Sequence, residues 1–198
     1  MSVRKDHIRK LCIIGALSAV AFVLMLLEVA LPFLPAFLKL DFSEIPALLA
    51  AFALGPFEGA AVCLVKNLLH LLVTSTAGVG ELSNFLLGCC FVLPAGIVYR
   101  YKKTRAGALL SSLVGVLFMA AMCVPINYCL TYPIYYRILV PKEVILGMCQ
   151  TILPSVKSVL ASILIFNVPL TLAKGLLDVA VVFLIYKKIS PLLKRTWR

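Results

Sequence analysis

Charge is scarce in this chain: 14% of its 198 residues are Asp, Glu, Lys or Arg, while 63% are apolar. A soluble domain carries about a quarter charged residues, so a soluble globular protein is excluded and an integral membrane protein is expected. Other absences narrow the function. No G-x-x-x-x-G-K-[ST] loop is present to cradle nucleotide phosphates, so the chain is not by itself a P-loop ATP pump. His7 and His70 are the only histidines, and no H-E-x-x-H, no G-x-S-x-G and no carboxylate pair within one apolar segment occurs, which leaves little basis for an enzyme. The seven cysteines are odd in number, lack C-x-x-C spacing and fall mostly in apolar runs, as packing residues do. Neither a metal site nor redox chemistry is implied, and no cofactor is expected. No internal repeat is visible, which weakens the case for an inverted-repeat secondary transporter. A single domain over 1–198 is expected.

The net charge of +11 has a specific placement. Arg4, Lys5, Arg9 and Lys10 precede the first apolar stretch; Arg100, Lys102, Lys103 and Arg105 separate two later ones; Lys187, Lys188, Lys194, Arg195 and Arg198 follow the last. These clusters hold thirteen of the nineteen basic residues, with only Asp6 as acidic company. That is the positive-inside pattern, which puts both termini and the central basic loop in the cytoplasm and argues against a nucleic-acid partner. The apolar stretches are too many and too long for a cleaved signal.

Periodicity and breakers outline six helices. The first span covers 8–31 and ends at Pro32 and Pro35, which open a loop to Asp41. Ser43, with Pro46 in the first turn, reads as the N-cap of a helix to about residue 54, short for a full crossing. Gly55-Pro56 turns into a third helix over 57–73; a small-residue loop over 74–80 leads to a fourth over 81–99; the fifth covers 106–130. An external region with a helix near 142–149 follows, and 155–165 leads into a sixth span over 169–189. The expected fold class is an all-α, six-helix transmembrane bundle.

Polar residues inside such a bundle are the functional candidates, because an ionisable group facing lipid costs several kcal/mol. Asn167, Thr171, Lys174 and Asp178 recur at i, i+4, i+7 and i+11, one line on the last helix that reads as a pocket wall. The plainer account makes Asn167 an N-cap and pairs Lys174 with Asp178. Asn127, beside Tyr128, offers both donor and acceptor, is costly to bury without partners, and is the better ligand candidate of the two. Glu81 stands after Gly78-Val79-Gly80, where it either complements a helix N-terminus or meets a ligand. Lys66, Asn67 and His70, with Glu58 two turns earlier, favour a structural charge pair over a site. Cys12, Gly15, Ala16, Ser18 and Ala19 form a small face that admits close approach of another helix, from inside the bundle or from a partner.

Phe37-Leu38-Lys39-Leu40-Asp41-Phe42-Ser43-Glu44-Ile45-Pro46-Ala47-Leu48, Lys66-Asn67-Leu68-Leu69-His70, Gly78-Val79-Gly80-Glu81-Leu82-Ser83-Asn84-Phe85 and the segment 169–175 occur in an order that resembles the riboflavin-specific substrate-binding subunits (S-components) of energy-coupling-factor (ECF) transporters. The resemblance covers nearly the whole chain. It implies a multi-pass protein of the bacterial cytoplasmic membrane that captures riboflavin from outside as transported substrate. Its partners would be a transmembrane coupling subunit and two cytosolic ATPases. The small face around Cys12, Gly15, Ala16 and Ala19 resembles the family's coupling surface. The family's Pro-Phe-Asn-x-x-Lys-Gly pattern appears here as Pro169-Leu170-Thr171-Leu172-Ala173-Lys174-Gly175, with threonine for the amide and Asn167 one turn earlier as a compensating group. The expected site is Leu38 and Leu40 over the ring, Asn127, Thr171 and Lys174 at its polar edge, and Glu81 with Asn167 for further polar contacts, with Lys39 and Tyr128 as further ligand-binding candidates. The alternatives are the same architecture with another vitamin or flavin mononucleotide (FMN), or a partner-independent secondary transporter.

Overall fold

The computed structural model describes residues 2–195, with side chains from His7 to Tyr186. Of the terminal basic clusters, the side chains of Arg9 and Lys10 fall within that range, while those of Arg4, Lys5 and the set beginning at Lys187 lie outside it. Helix α1 (Ser2–Leu26) is followed by strand β1 (Val29–Ala30), strand β2 (Lys39–Leu40) and helices α2 (Glu44–Ala53) and α3 (Pro56–His70), the last extended by a 3-10 turn over Leu71–Val73. Then come α4 (Val79–Tyr101), α5 (Arg105–Ile126), a π-helical turn at Asn127–Thr131, α6 (Tyr132–Ile138), α7 (Lys142–Gln150), α8 (Val159–Ser162), a second π-turn at Ile163–Asn167 and α9 (Val168–Arg195). Among the described residues, five helices are long and apolar enough to cross a membrane: His7–Leu26, Pro56–Val73, Val79–Tyr101, Arg105–Ile138 and Val159–Tyr186.

Helix α2 is the bundle's central plug. At ten residues it rises about 15 Å, half a hydrocarbon core, and it packs against α1, α3, α4 and α9 at once. That environment explains a sequence with no polar side beyond its first turn: Ala47, Leu48, Ala50 and Phe52 are wholly buried. Around it, α4 lies against α3 and α5, and α5 against α9. The α4–α5 approach requires Gly115, where a Cβ would stand 2.4 Å from the carbonyl oxygen of Phe91. Close backbone approach at small residues is how helices gain packing attraction in lipid.

Several sequence expectations are corrected. The first helix stops at Leu26 rather than 31, because the next residues form β1, which pairs antiparallel with β2 (Val29 with Leu40, Ala30 with Lys39) and closes the loop between them into a hairpin. Ser43 is not a side-chain N-cap: its backbone is helical and its hydroxyl donates to Asp41, whose carboxylate accepts the Ser43 N–H at 2.8 Å. The fifth and last helices are longer than read, since each carries on through a proline by widening into a π-turn. Asn167 therefore lies inside a continuous helix and not at a cap.

Candidate functional site

The two π-turns build one wall of a site. Pro133 and Pro169 have no N–H to offer the carbonyls four residues earlier, Cys129 and Ile165, and both carbonyls fall within the π-turns at Asn127–Thr131 and Ile163–Asn167. Widening the helix there absorbs the misfit, and such bulges recur at functional sites. The turns bring together asparagines forty residues apart in sequence: Asn167 Nδ2 donates to Asn127 Oδ1 at 3.5 Å. Tyr132 Oη donates to Asn167 Oδ1 at 3.0 Å, and Asn127 Nδ2 donates to the Cys123 carbonyl at 2.8 Å. Thr171 Oγ1 lies 3.4 Å from Cys123 Sγ.

These groups face a cavity of about 490 Å³. It occupies the end of the bundle where α1 and α3 finish and α4 and α9 begin, opposite the basic loop at 102–104. Phe37 and Leu38 from the β1–β2 hairpin, Met25, Leu87, Met119, Tyr132, Tyr135 and Ile145 give it apolar walls. Two charged clusters interrupt them. Lys174 Nζ donates to Asp41 Oδ2 at 2.8 Å and to Asn84 Oδ1 at 3.4 Å, tying α9 to the end of the hairpin and to α4. Behind it, the fully buried Lys66 donates to Ser43 and to Glu44 Oε1, the latter at 2.6 Å. Burial on its own raises the Asp41 carboxyl, but the charges of Lys174 and Lys66 and hydrogen bonds from Lys174 and Ser43 outweigh it and hold the group well below the usual carboxylate range. Glu44 fits because α4 presents Gly88, where a Cβ would lie 2.8 Å from Glu44 Oε2. At the other end of the cavity, Glu81 accepts from Thr76 Oγ1 at 2.9 Å and sits 2.8 Å from His70 Nδ1, so its carboxylate is fixed from both sides.

Of the sequence-derived candidates, Leu38, Lys39, Glu81, Asn127, Asn167, Thr171 and Lys174 line this one cavity. Leu40 is half-buried and stands outside the lining; Tyr128 points away, 52% exposed. Lys39 pairs with Glu28 across the hairpin. The Lys174–Asp178 pair of the plainer account does not form, because Asp41 takes the ammonium instead. Lys66 does form a structural ion pair, across α2 and α3, while Glu58 pairs with Lys10 at 3.5 Å. Cys12, Gly15, Ala16 and Ala19 are exposed on the outer side of α1, and a Cβ at Gly15 would meet nothing within 4 Å, so these four do not pack inside the bundle, whereas Ser18 turns inward and is buried. Sequence reasoning missed Met25, Asn84, Tyr132 and Tyr135. The apolar ones carry no signal that separates a cavity wall from a lipid face, whereas Asn84, polar within an apolar helix, was a readable one.

Comparison with known proteins gives the geometry a family. The profile described as ECF transporter, substrate-specific component, matches residues 9–186. The riboflavin transporter RibU of Staphylococcus aureus (strain TCH60) is 33% identical over 187 residues, 94% of this chain and 93% of that protein. The riboflavin transporter FmnP of Bacillus subtilis (strain 168) is 35% identical over 187 residues, 93% of each. A solved S component of a bacterial ECF transporter superposes with a TM-score of 0.74 at 32% identity, covering 95% of this chain and 99% of that one. These are transport components and not enzymes. With a family match over nearly its whole length and relatives of equal span, this chain belongs to the substrate-specific components of ECF transporters.

Proposed function

We propose that this chain binds riboflavin in the cavity under the β1–β2 hairpin and delivers it into the cell as the S-component of an ATP-driven ECF importer. The observation that carries the reading is the cavity's composition: apolar walls for a flat ring, and Asn127, Asn167, Thr171 and Lys174 gathered on one side as hydrogen-bonding groups for a polar ring edge. Two relatives of the same length named as riboflavin transporters support the choice of ligand. Glu81, held by His70 and Thr76, is placed to accept from the hydroxyls of a polyol tail. The lining carries four carboxylates (Glu28, Asp41, Glu44, Glu81) against two lysines (Lys39, Lys174), a balance that favours uncharged riboflavin over FMN.

The whole chain acts as one substrate-binding domain. Its five long helices and α2 make a six-helix unit with both termini and the Lys102–Arg105 loop in the bacterial cytoplasm, which puts the cavity on the outer side. The exposed face of Cys12, Gly15, Ala16 and Ala19 is the docking surface for a transmembrane coupling subunit, which two cytosolic ATPases drive. The test is the absorption spectrum of protein purified in detergent from cells grown with riboflavin. A co-purified flavin released intact on denaturation supports the proposal; a colourless protein that stays colourless after incubation with riboflavin overturns it.

A further inference from the structure

The hydrogen bonds on the polar side of the cavity run one way, and their direction is set by chemistry at one end. A backbone carbonyl can only accept, so the Cys123 carbonyl, 2.8 Å from the Asn127 amide, requires Nδ2 of that amide to face it. Nδ2 also stands 3.4 Å from Cys123 Sγ, so the donor side of Asn127 is spent on Cys123 and Oδ1 is turned the other way. That oxygen takes the Asn167 Nδ2 donor, which leaves Asn167 Oδ1 to accept from Tyr132 Oη at 3.0 Å. Neither amide can turn over without setting one acceptor against another.

Both asparagines line the cavity. Once the chain is satisfied, Asn127 has only an Oδ1 lone pair to offer a ligand, while Asn167 keeps its second N–H. An acceptor beside a donor complements an imide edge, in which an N–H stands next to a C=O. The hold on Asn167 is uneven: its contact with Asn127, at 3.5 Å, is at the limit for a hydrogen bond, so the Tyr132 hydroxyl is the stronger restraint. The Tyr132 ring is buried and edge-on to Phe37 and Tyr136, with centroids 6.2 and 6.1 Å away, which fixes where the hydroxyl stands. Ser162 hydrogen-bonds the same hydroxyl and can donate to its oxygen, leaving its proton for Asn167. We propose that Tyr132 is a positioning residue that acts through Asn167: its hydroxyl locks the amide so that the free N–H is aimed at an imide carbonyl of the ligand. The proposal rests on the riboflavin reading above.

The test is Tyr132→Phe, which keeps the ring and removes the hydroxyl, beside Asn167→Ala and the double variant. Each is titrated with riboflavin, melted without ligand, and examined by infrared difference spectroscopy with riboflavin carrying carbon-13 at its two imide carbonyls. Tyr132→Phe should weaken riboflavin binding about tenfold while ligand-free melting stays close to wild type, because water in the open cavity can serve Asn167. One carbonyl band of bound riboflavin should move to higher frequency, as it does in Asn167→Ala, and the two losses of affinity should not add. Additive losses, which would mean that Tyr132 touches the ligand itself, an unmoved carbonyl band, or an unchanged affinity overturns the proposal. If Tyr132→Phe does not fold, Tyr132→Met carries the same prediction, and failure of both makes the hydroxyl structural and ends the proposal. Wild-type protein that ignores riboflavin strikes the ligand reading, and this proposal with it; wild type that binds while Tyr132→Phe matches it strikes only the role of Tyr132.

Discussion

Lys66→Met should destabilise the ligand-free protein severely, and the size of the effect follows from where the charges sit. The Lys66–Glu44 pair is closed at 2.6 Å with side chains 0% and 2% exposed, so neither group can recover solvation when the other is removed. Breaking such a pair from one side costs about 3–5 kcal/mol, whereas replacing both members by apolar residues is often neutral. For a chain of this length, about 2–4 °C of melting temperature accompanies each kcal/mol, so Lys66→Met should melt roughly 6–20 °C lower. Lys66→Met with Glu44→Leu should recover most of the loss. Melting in detergent, followed by circular dichroism on all three proteins, is the assay. A single variant as stable as wild type, or a double variant worse than the single, would refute the argument that α2 is tied to α3 by this pair.

The cavity makes a contrast between neighbours: Asn127→Ala removes a buried amide from the polar side and should weaken riboflavin binding about ten- to a hundredfold, while Tyr128→Ala, on the exposed side of the same turn, should leave it unchanged. Equal effects in fluorescence titration would misplace the site. Ala16→Trp, on the open face of α1, should leave riboflavin affinity intact and abolish ATP-dependent uptake in vesicles holding the complete transporter; retained uptake would move the coupling surface elsewhere. Asp41, whose folded-state carboxyl is held below its unfolded value of about 3.9, contributes stability that is present in full above about pH 4 and drains away as pH falls toward the folded value. Melting curves from pH 7 to 3 should show that acid loss in wild type and less of it in Asp41→Asn.

Much of the site was legible because membrane interiors tolerate few polar residues, so Asn127, Asn167, Thr171 and Lys174 stood out against an apolar background and helical spacing put three of them on one line. The pairings were not legible. Local rules assign Lys174 to Asp178 at i+4, but Asp41, 133 residues earlier, takes the ammonium, and only the tertiary fold brings the hairpin to α9. The same limit applies to Ser43, whose position suits a cap until Lys66 and Asp41 arrive to claim its hydroxyl. The fifth helix was read as ending at residue 130 and the last span as beginning at Pro169; in a bundle that satisfies the backbone around Pro133 and Pro169 both helices run on through π-turns, which is how two asparagines reached the cavity.

The most direct test of the central claim is a calorimetric titration of ligand-depleted protein with riboflavin, run beside Asn127→Ala combined with Lys174→Ala. One riboflavin per chain in the wild type, with binding lost or weakened more than a hundredfold in the double variant, is the expected result. Saturable binding that the double variant retains at full strength would contradict it.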